Sequence, residues 1–432
     1  MSENPFTFGN PIRDPRRFFG RQDELRQVAS RLLASVHEST AIVGERRTGK
    51  TSLLLHLSHP QVMERLGMQA QNYCLVYIDF QGLVDITPQR FWERLLKKMS
   101  RTICHEGLQG QIDALLKMQS FDLFDLEDLF ESAASAGLTT VLLLDEFEYI
   151  TQNPNFKADF FGGLRGLAIH HNLPIITATR RDLVDLCHSD EIKGSPFFNI
   201  FANVVLRPFS REEVFALVHS YTQDSVLRLS PNDAELVYQL GGGTPFFIQM
   251  AGYYLVEAAL KGIPRDSLAA AVAADFDTQA DPHFTYLWSH CSESEKITLL
   301  ATISLRRQKR SRKTISNIEN LAHLHARAQL DVANLVKRGV LLKEADETYR
   351  PFSPSLERWI AREIVATEQE QETEDGVRAW VKSSGQDLSE PVQGALPHFK
   401  RKYWPVISTV LRELSFGIAG NATYEILINA LV

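Results

Sequence analysis

Residues 44–51 read Gly-Glu-Arg-Arg-Thr-Gly-Lys-Thr, an ungapped match to the phosphate-loop pattern G-x-x-x-x-G-K-[ST]. The apolar run Thr40-Ala41-Ile42-Val43 precedes it, and Ser52-Leu53-Leu54-Leu55-His56-Leu57 follows it. That is the strand, loop and helix succession in which such a loop works. Gly44 and Gly49 allow Glu45, Arg46, Arg47 and Thr48 between them to turn their N–H groups inward. The helix N-terminus adds its positive dipole end at the same place. The pattern assigns Gly44 through Ser52 to nucleotide phosphates, with Lys50 at the β/γ-phosphates and the Thr51 hydroxyl on Mg²⁺. It also constrains the fold, because the loop needs a buried strand ending beneath it.

A second such strand lies about ninety residues on. Thr139-Thr140-Val141-Leu142-Leu143-Leu144 is an unbroken apolar run of the parallel-sheet type, and it ends in Asp145-Glu146. Asp145 fits the carboxylate that holds Mg²⁺, and Glu146 the group that polarises an attacking water.

Strands are expected at 40–43, 73–79, 139–145, 174–178 and near 204–206, with helices at 23–34, 50–58, 87–104 and 125–136. Strands alternating with helices indicate a parallel, doubly wound α/β sheet covered on both faces. Residues 1–17 are rich in Pro, Arg and Asn and are expected to be extended. The P-loop core therefore occupies 18–209. After Pro208 the strand signals stop. Ser210-x-x-Glu213 is a capping box, Ser230-Pro231 starts a second helix that Gly241-Gly242-Gly243 ends, and Pro245 starts a third. This is a helical lid, 210–277. Residues 283–363 have the pattern of a winged helix, with Ala328–Arg338 as its third helix and a hairpin of 340–342 against 349–352. Residues 364–432 read as an acidic, polar linker and a small helical module, a candidate contact for an unknown protein partner.

Composition excludes several classes. Apolar residues make up 44% and charged residues 23% of the 432, as in ordinary globular protein. A net charge of −7 argues against wholesale nucleic-acid binding. Cys74, Cys104, Cys187 and Cys291 form no C-x-x-C pair, which fits a reducing, cytoplasmic setting, with Cys74 in the core. No signal-peptide core and no run of eighteen apolar residues is present, so no membrane association is expected.

Four motifs together carry a family resemblance. Phe18-Phe19-Gly20-Arg21-Gln22-Asp23-Glu24 resembles the hhGRxxE box ahead of the phosphate loop in the STAND class of signal-transduction ATPases, which are AAA+-related P-loop switches. Thr177-Ala178-Thr179-Arg180 resembles the sensor triplet after the fourth strand, with Ala178 where Thr is usual. Gly243-Thr244-Pro245 resembles the lid's G-x-P. The resemblance runs over about 1–363 and none is evident beyond it. It implies that Phe19, Gly20 and Arg21 border the adenine, with Phe18 beside them. It implies that Arg180 senses the γ-phosphate and that Pro245 fixes the lid against base or ribose. It further implies ATP/ADP with Mg²⁺ as ligands, slow ATPase activity, and nucleotide-dependent self-association. Arg165 and Arg181 are candidates for an arginine finger by position only.

Arg306 to Lys313 holds six basic residues in eight. This run is a candidate DNA-phosphate contact, and the rival, less favoured function is that of an initiator- or transposition-type AAA+ ATPase using the winged helix on duplex DNA. His170-His171 has no partner at metal-ligand spacing and reads as a loop feature.

Overall fold

The computed structural model describes residues 4–83, 85–103, 105–186, 196–223, 228–307, 316–324, 327–360 and 362. They form two compact units. One is Gly9–Arg207; the other joins residues 4–8 to the described residues from Pro208 onward.

The first unit is built on β1 (Ser39–Val43), β2 (Tyr73–Asp79), β3 (Thr139–Asp145), β4 (Ile175–Thr179) and β5 (Phe201–Val205). Their order is β2-β3-β4-β1-β5 and every neighbouring pair is parallel. The expected parallel, doubly wound sheet is therefore present. Alternation along each strand divides the core in two. Ala41, Val43, Leu142 and Leu144 join one cluster, while Ile42, Val141 and Leu143 join the other. The second cluster packs on α1 (Gln22–Leu32) and α2 (Lys50–Leu57), followed by α3 (Pro60–Arg65). The first packs on α4 (Pro88–Thr102), α5 (Glu106–Lys117), α6 (Leu123–Ser135) and, after the short α7 (Glu148–Thr151), on α8 (Ala158–His170).

Two of these helices were not legible as such. α5 has no Ser, Thr or Asp cap; instead Nδ1 of His105 accepts the N–H of Leu108 at 3.3 Å. α8 contains Gly162, Gly163 and Gly166, poor helix formers by propensity. At Gly163 a Cβ would sit 3.3 Å from the Leu123 side chain, so close packing favours the glycine there. His170 and His171 close α8, and His171 lies 3.8 Å from Glu127. Cys74 is buried, and burial pushes its thiol up to about 12.

The second unit holds α9 (Arg211–Thr222), α10 (Pro231–Gly241), α11 (Pro245–Leu260) and α12 (Arg265–Ser289). The capping box of Ser210 and Glu213 is formed, Ser230 and Asp233 make another, and Gly242 closes α10 at φ +59°. Gly242 has no room for a side chain: a Cβ would lie 2.5 Å from the Phe352 carbonyl oxygen. α12 runs unbroken through Pro282, across the stretch between 277 and 283. Then come α13 (Glu293–Arg307), α14 (Ile318–Leu324), α15 (Ala328–Lys337), and the antiparallel pair β6 (Leu341–Lys343) and β7 (Tyr349–Pro351). Residues 354–360 are helical. Most of the basic run at 306–313 and the whole of 364–432 lie outside the described residues, as do Cys104 and Cys187. Among the described residues, no helix is long and apolar enough to cross a membrane.

The start of the chain is anchored on α11. Phe6 is fully buried against Gly252, where a Cβ would come within 2.4 Å of its ring. Asn4 donates to the Tyr253 carbonyl at 3.0 Å and to Glu257 at 2.9 Å, and the Thr7 N–H donates to Gln249 at 3.1 Å. Phe6→Ala is therefore expected to destabilise this unit by about 3–5 kcal/mol, the usual cost of emptying a buried aromatic site. Guanidinium unfolding followed by circular dichroism should show its transition move to lower denaturant; an unmoved midpoint would refute the anchoring.

Candidate nucleotide site

The sheet register brings the candidate groups to one edge. Asp145 is level with Ala178, and Ala178 with Ile42. Gly44 and Arg180 each follow two residues after those levels. All therefore emerge at the carboxyl ends of parallel strands, where ligand crevices form in open α/β sheets.

The loop after β1 closes on itself. The Thr48 hydroxyl donates to the Glu45 carbonyl at 2.8 Å, and Glu45 Oε1 accepts the Arg46 N–H at 2.9 Å. At Gly44 a Cβ would stand 2.7 Å from Thr48 Oγ1, so the loop requires glycine there. Arg47 (φ +74°) and Gly49 (φ +95°) are left-handed and turn the chain into α2. Lys50 is 5% exposed; its Nζ donates to the carbonyls of Gly44 at 2.9 Å and Glu45 at 3.2 Å. Burial, and then the neighbouring Arg46, lower the Arg47 pKa. Ser52 Oγ accepts the Ile12 N–H at 3.0 Å.

Gly20 (φ +70°) and Arg21 (φ +63°) are successive left-handed residues before α1. Arg21 is buried, donates to Glu24 at 3.0 Å and reaches the Thr48 carbonyl at 3.4 Å. The structure thus places Arg21 on the phosphate loop itself. Phe18 stacks on His56 of α2, with ring centroids 4.0 Å apart. Burial, with Arg65 and His59 nearby, pulls His56 down to about 4, so its ring is neutral at pH 7. Phe19 is half-buried. Pro245 belongs to the second unit, where it opens α11 after Thr244.

Asp145 is 1% exposed. Its carboxylate accepts the Tyr77 hydroxyl at 2.9 Å and the Glu146 N–H at 3.0 Å, and, against the larger upward push of burial, the nearby Thr51 side chain lowers its pKa. Tyr77 reaches it because Tyr77 is level with Leu143 on β3, and Asp145 stands two residues further on the same face. Burial raises the Asp145 pKa against these bonds. Glu146 adopts φ +54°, which turns its side chain out of the strand alternation. Burial raises its carboxyl to about 7; Lys50 and Arg180 pull it down, while Glu148 and Asp145 push it up.

Glu148 and Tyr77 were not singled out from the sequence. Glu148 is 1% exposed and accepts Nε of Arg180 at 2.7 Å. Its Oε2 has no hydrogen-bond partner among the described residues. The sequence signal for it is faint: a second carboxylate two positions after Glu146. Arg181 is exposed and its carbonyl accepts the Thr179 hydroxyl; Arg165 lies half-buried on α8. Among the described residues, no cluster of three His, Cys, Asp or Glu suited to a metal occurs.

A parallel sheet carrying a glycine loop after its first strand and an acidic pair after its third defines a P-loop NTPase. The chain belongs to the family described as Novel STAND NTPase 2, which matches residues 29–305. It is similar to the Walker-type ATPase paby2304 of Pyrococcus abyssi, at 18% identity over 82% of this chain and 98% of that one, with a TM-score of 0.53. The Aeropyrum pernix ORC2 protein in its ADPNP–ADP complexes is 14% identical over 85% and 99%, with a TM-score of 0.52. Its ADP form gives 14%, 83%, 98% and 0.50. At such identities the likeness shows the fold alone. No curated protein matches the sequence.

The Glu146 environment has a consequence for stability. Its folded pKa, about 7, lies above the ordinary 4.5. Between those values the folded protein keeps a proton that the unfolded chain has released. Stability without ligand therefore falls as pH rises through that window. Melting temperatures from about pH 5 to pH 8 should decline in wild type relative to Glu146→Gln, which removes the titration. Parallel curves would rule this out.

Proposed function

We propose that this chain binds ATP with Mg²⁺, hydrolyses it slowly, and uses the nucleotide state to control domain opening and self-association as a signal-transduction switch. The observation that supports this most is the convergence of Lys50, Thr51, Asp145 and Glu146 at one strand edge. The donor set suits the ligand. Thr51 and Asp145, close to each other, are the hydroxyl and carboxylate that would hold Mg²⁺. Bound there, Mg²⁺ would neutralise phosphate charge. Lys50 exchanges its two loop carbonyls for phosphate oxygens, and the loop N–H groups cradle the phosphates. Glu146, with a carboxyl poised near neutrality, orients water at the γ-phosphorus. Arg21, on the Thr48 carbonyl, and Phe19 border the base. Arg180 stabilises the γ-phosphate from beside Glu148.

The DNA-associated alternative receives less support. The three helices and hairpin of 293–351 are compatible with a winged helix. However, Arg306, the first of the basic run, is engaged by Glu344 at 2.6 Å.

Lys50→Ala should abolish nucleotide binding in a calorimetric titration while circular dichroism stays that of wild type. Unchanged affinity would overturn the phosphate-loop assignment.

The switch itself is tested by Glu146→Gln. That substitution should retain ATP and, if the nucleotide favours the open form, give a larger mass by light scattering than ADP-loaded wild type. Moving an equilibrium from 1:99 to 99:1 takes about 5.5 kcal/mol of differential affinity. Charge-assisted bonds from Arg180, roughly 1.5–3 kcal/mol each, supply a good part. Adding Arg180→Gln together with Glu148→Gln, so that no buried carboxylate is stranded, should return the mass to that of the ADP state. Equal masses in both nucleotide states would leave an ATP-binding protein without an assembly switch.

A further inference from the structure

A groove of about 830 Å³ lies in the first unit along α4, outside the set of residues assigned to the nucleotide. The inner face of α4 is apolar: Phe91, Trp92, Leu95, Leu96 and Met99 are buried. Its outer face carries Arg90, Arg94, Lys97, Lys98 and Arg101, a cation at every turn, and all five line the groove. Only Asp85 and Glu93 oppose them there. Glu93 is taken up by Lys97 at 3.9 Å and Gln89 at 3.3 Å.

The other four cations have no ion-pair partner among the described residues. Elsewhere many arginines are matched: Arg211, Arg265, Arg306, Arg338 and Arg358 each hold a carboxylate. In a chain of net charge −7, such a concentration is unusual. It also carries a cost. The pKa of the Lys98 ammonium is lowered by burial and then by repulsion from Arg94 and Arg101, which Asp79 offsets only in part. A bound polyanion would relieve that repulsion.

We propose that this groove binds the phosphate backbone of a nucleic-acid strand without reading its sequence. From Arg90 to Arg101 the stripe runs about 16 Å at 1.5 Å per residue. A nucleic-acid strand presents a charge about every 3.4 Å of axis. Several phosphates therefore fall within reach of the stripe. Among the described residues, the lining has no Asn or Gln for adenine edges and no aromatic ring for stacking, so contacts to phosphate dominate. Four of the five cations are exposed, as suits a passing strand; a small ligand would instead be largely enclosed. This inference does not depend on the switch.

The full chain is titrated into two fluorescein-labelled 20-nucleotide single strands of unrelated sequence, by anisotropy over a salt series. Wild type should bind both equally. Arg90→Gln, Arg94→Gln and Arg101→Gln combined should bind at least tenfold more weakly. Its salt slope should be shallower by about 0.7 for each phosphate no longer neutralised. Lys98 is retained in this variant because it lies over the Tyr77 ring, 5.8 Å from its centroid. Lysines at the same three positions should restore binding, and ATP affinity should stay unchanged in all. Absence of binding by wild type, equal affinity in the glutamine variant, or competition by polyglutamate as effective as by DNA would each overturn the proposal. The last would assign the groove to an acidic protein.

Discussion

The ladder that joins β3, β4 and β1 in parallel decides where every charged group of the candidate site stands. Asp145 shares a face with Val141 and Leu143, the face that packs on α1 and α2. A slip of one residue would turn it to the opposite face, among α4, α6 and α8, and away from Thr51. The apolar runs on both sides fix that register, because each face has its own cluster to fill. Packing and chemistry are thus set by one alternation.

Charge is concentrated where that ladder ends. Asp145, Glu146 and Glu148 lie within a few residues of each other, two of them almost fully buried, and Lys50 and Arg180 answer them. Burying ions is costly unless each is paired and hydrogen-bonded. The Arg180–Glu148 pair meets that condition at one carboxylate oxygen, and Asp145 meets it through Tyr77 and a backbone N–H. Glu146 is the exception. It sits among the others with its charge only half favoured at neutral pH, which is the condition a proton-handling group needs.

Much of this was legible in the amino-acid order because local rules carried it. The glycine loop, the apolar strands, the caps at Ser210 and Ser230 and the glycine stop at 242 are each specified within a few residues. What was not legible depends on distance in sequence or on unusual local chemistry. Tyr77 meets Asp145 across 68 positions, and only the register reveals it. α5 is capped by a histidine, and of the three glycines in α8 one, Gly163, is fitted against Leu123. The α4 helix was foreseen, but a row of cations there reads as a solvated face until the lack of partners is seen in three dimensions. The roles given to Arg21, Arg180 and Pro245 came from resemblance. The geometry puts Arg21 on the loop and Arg180 on Glu148.

Glu146 stands at a backbone position that suits glycine or asparagine better than glutamate. Holding a larger side chain there costs about 1–2 kcal/mol. Here, a change to glycine or asparagine would relax the chain while removing the carboxylate. At this position, loss of the carboxylate and gain of backbone stability point the same way.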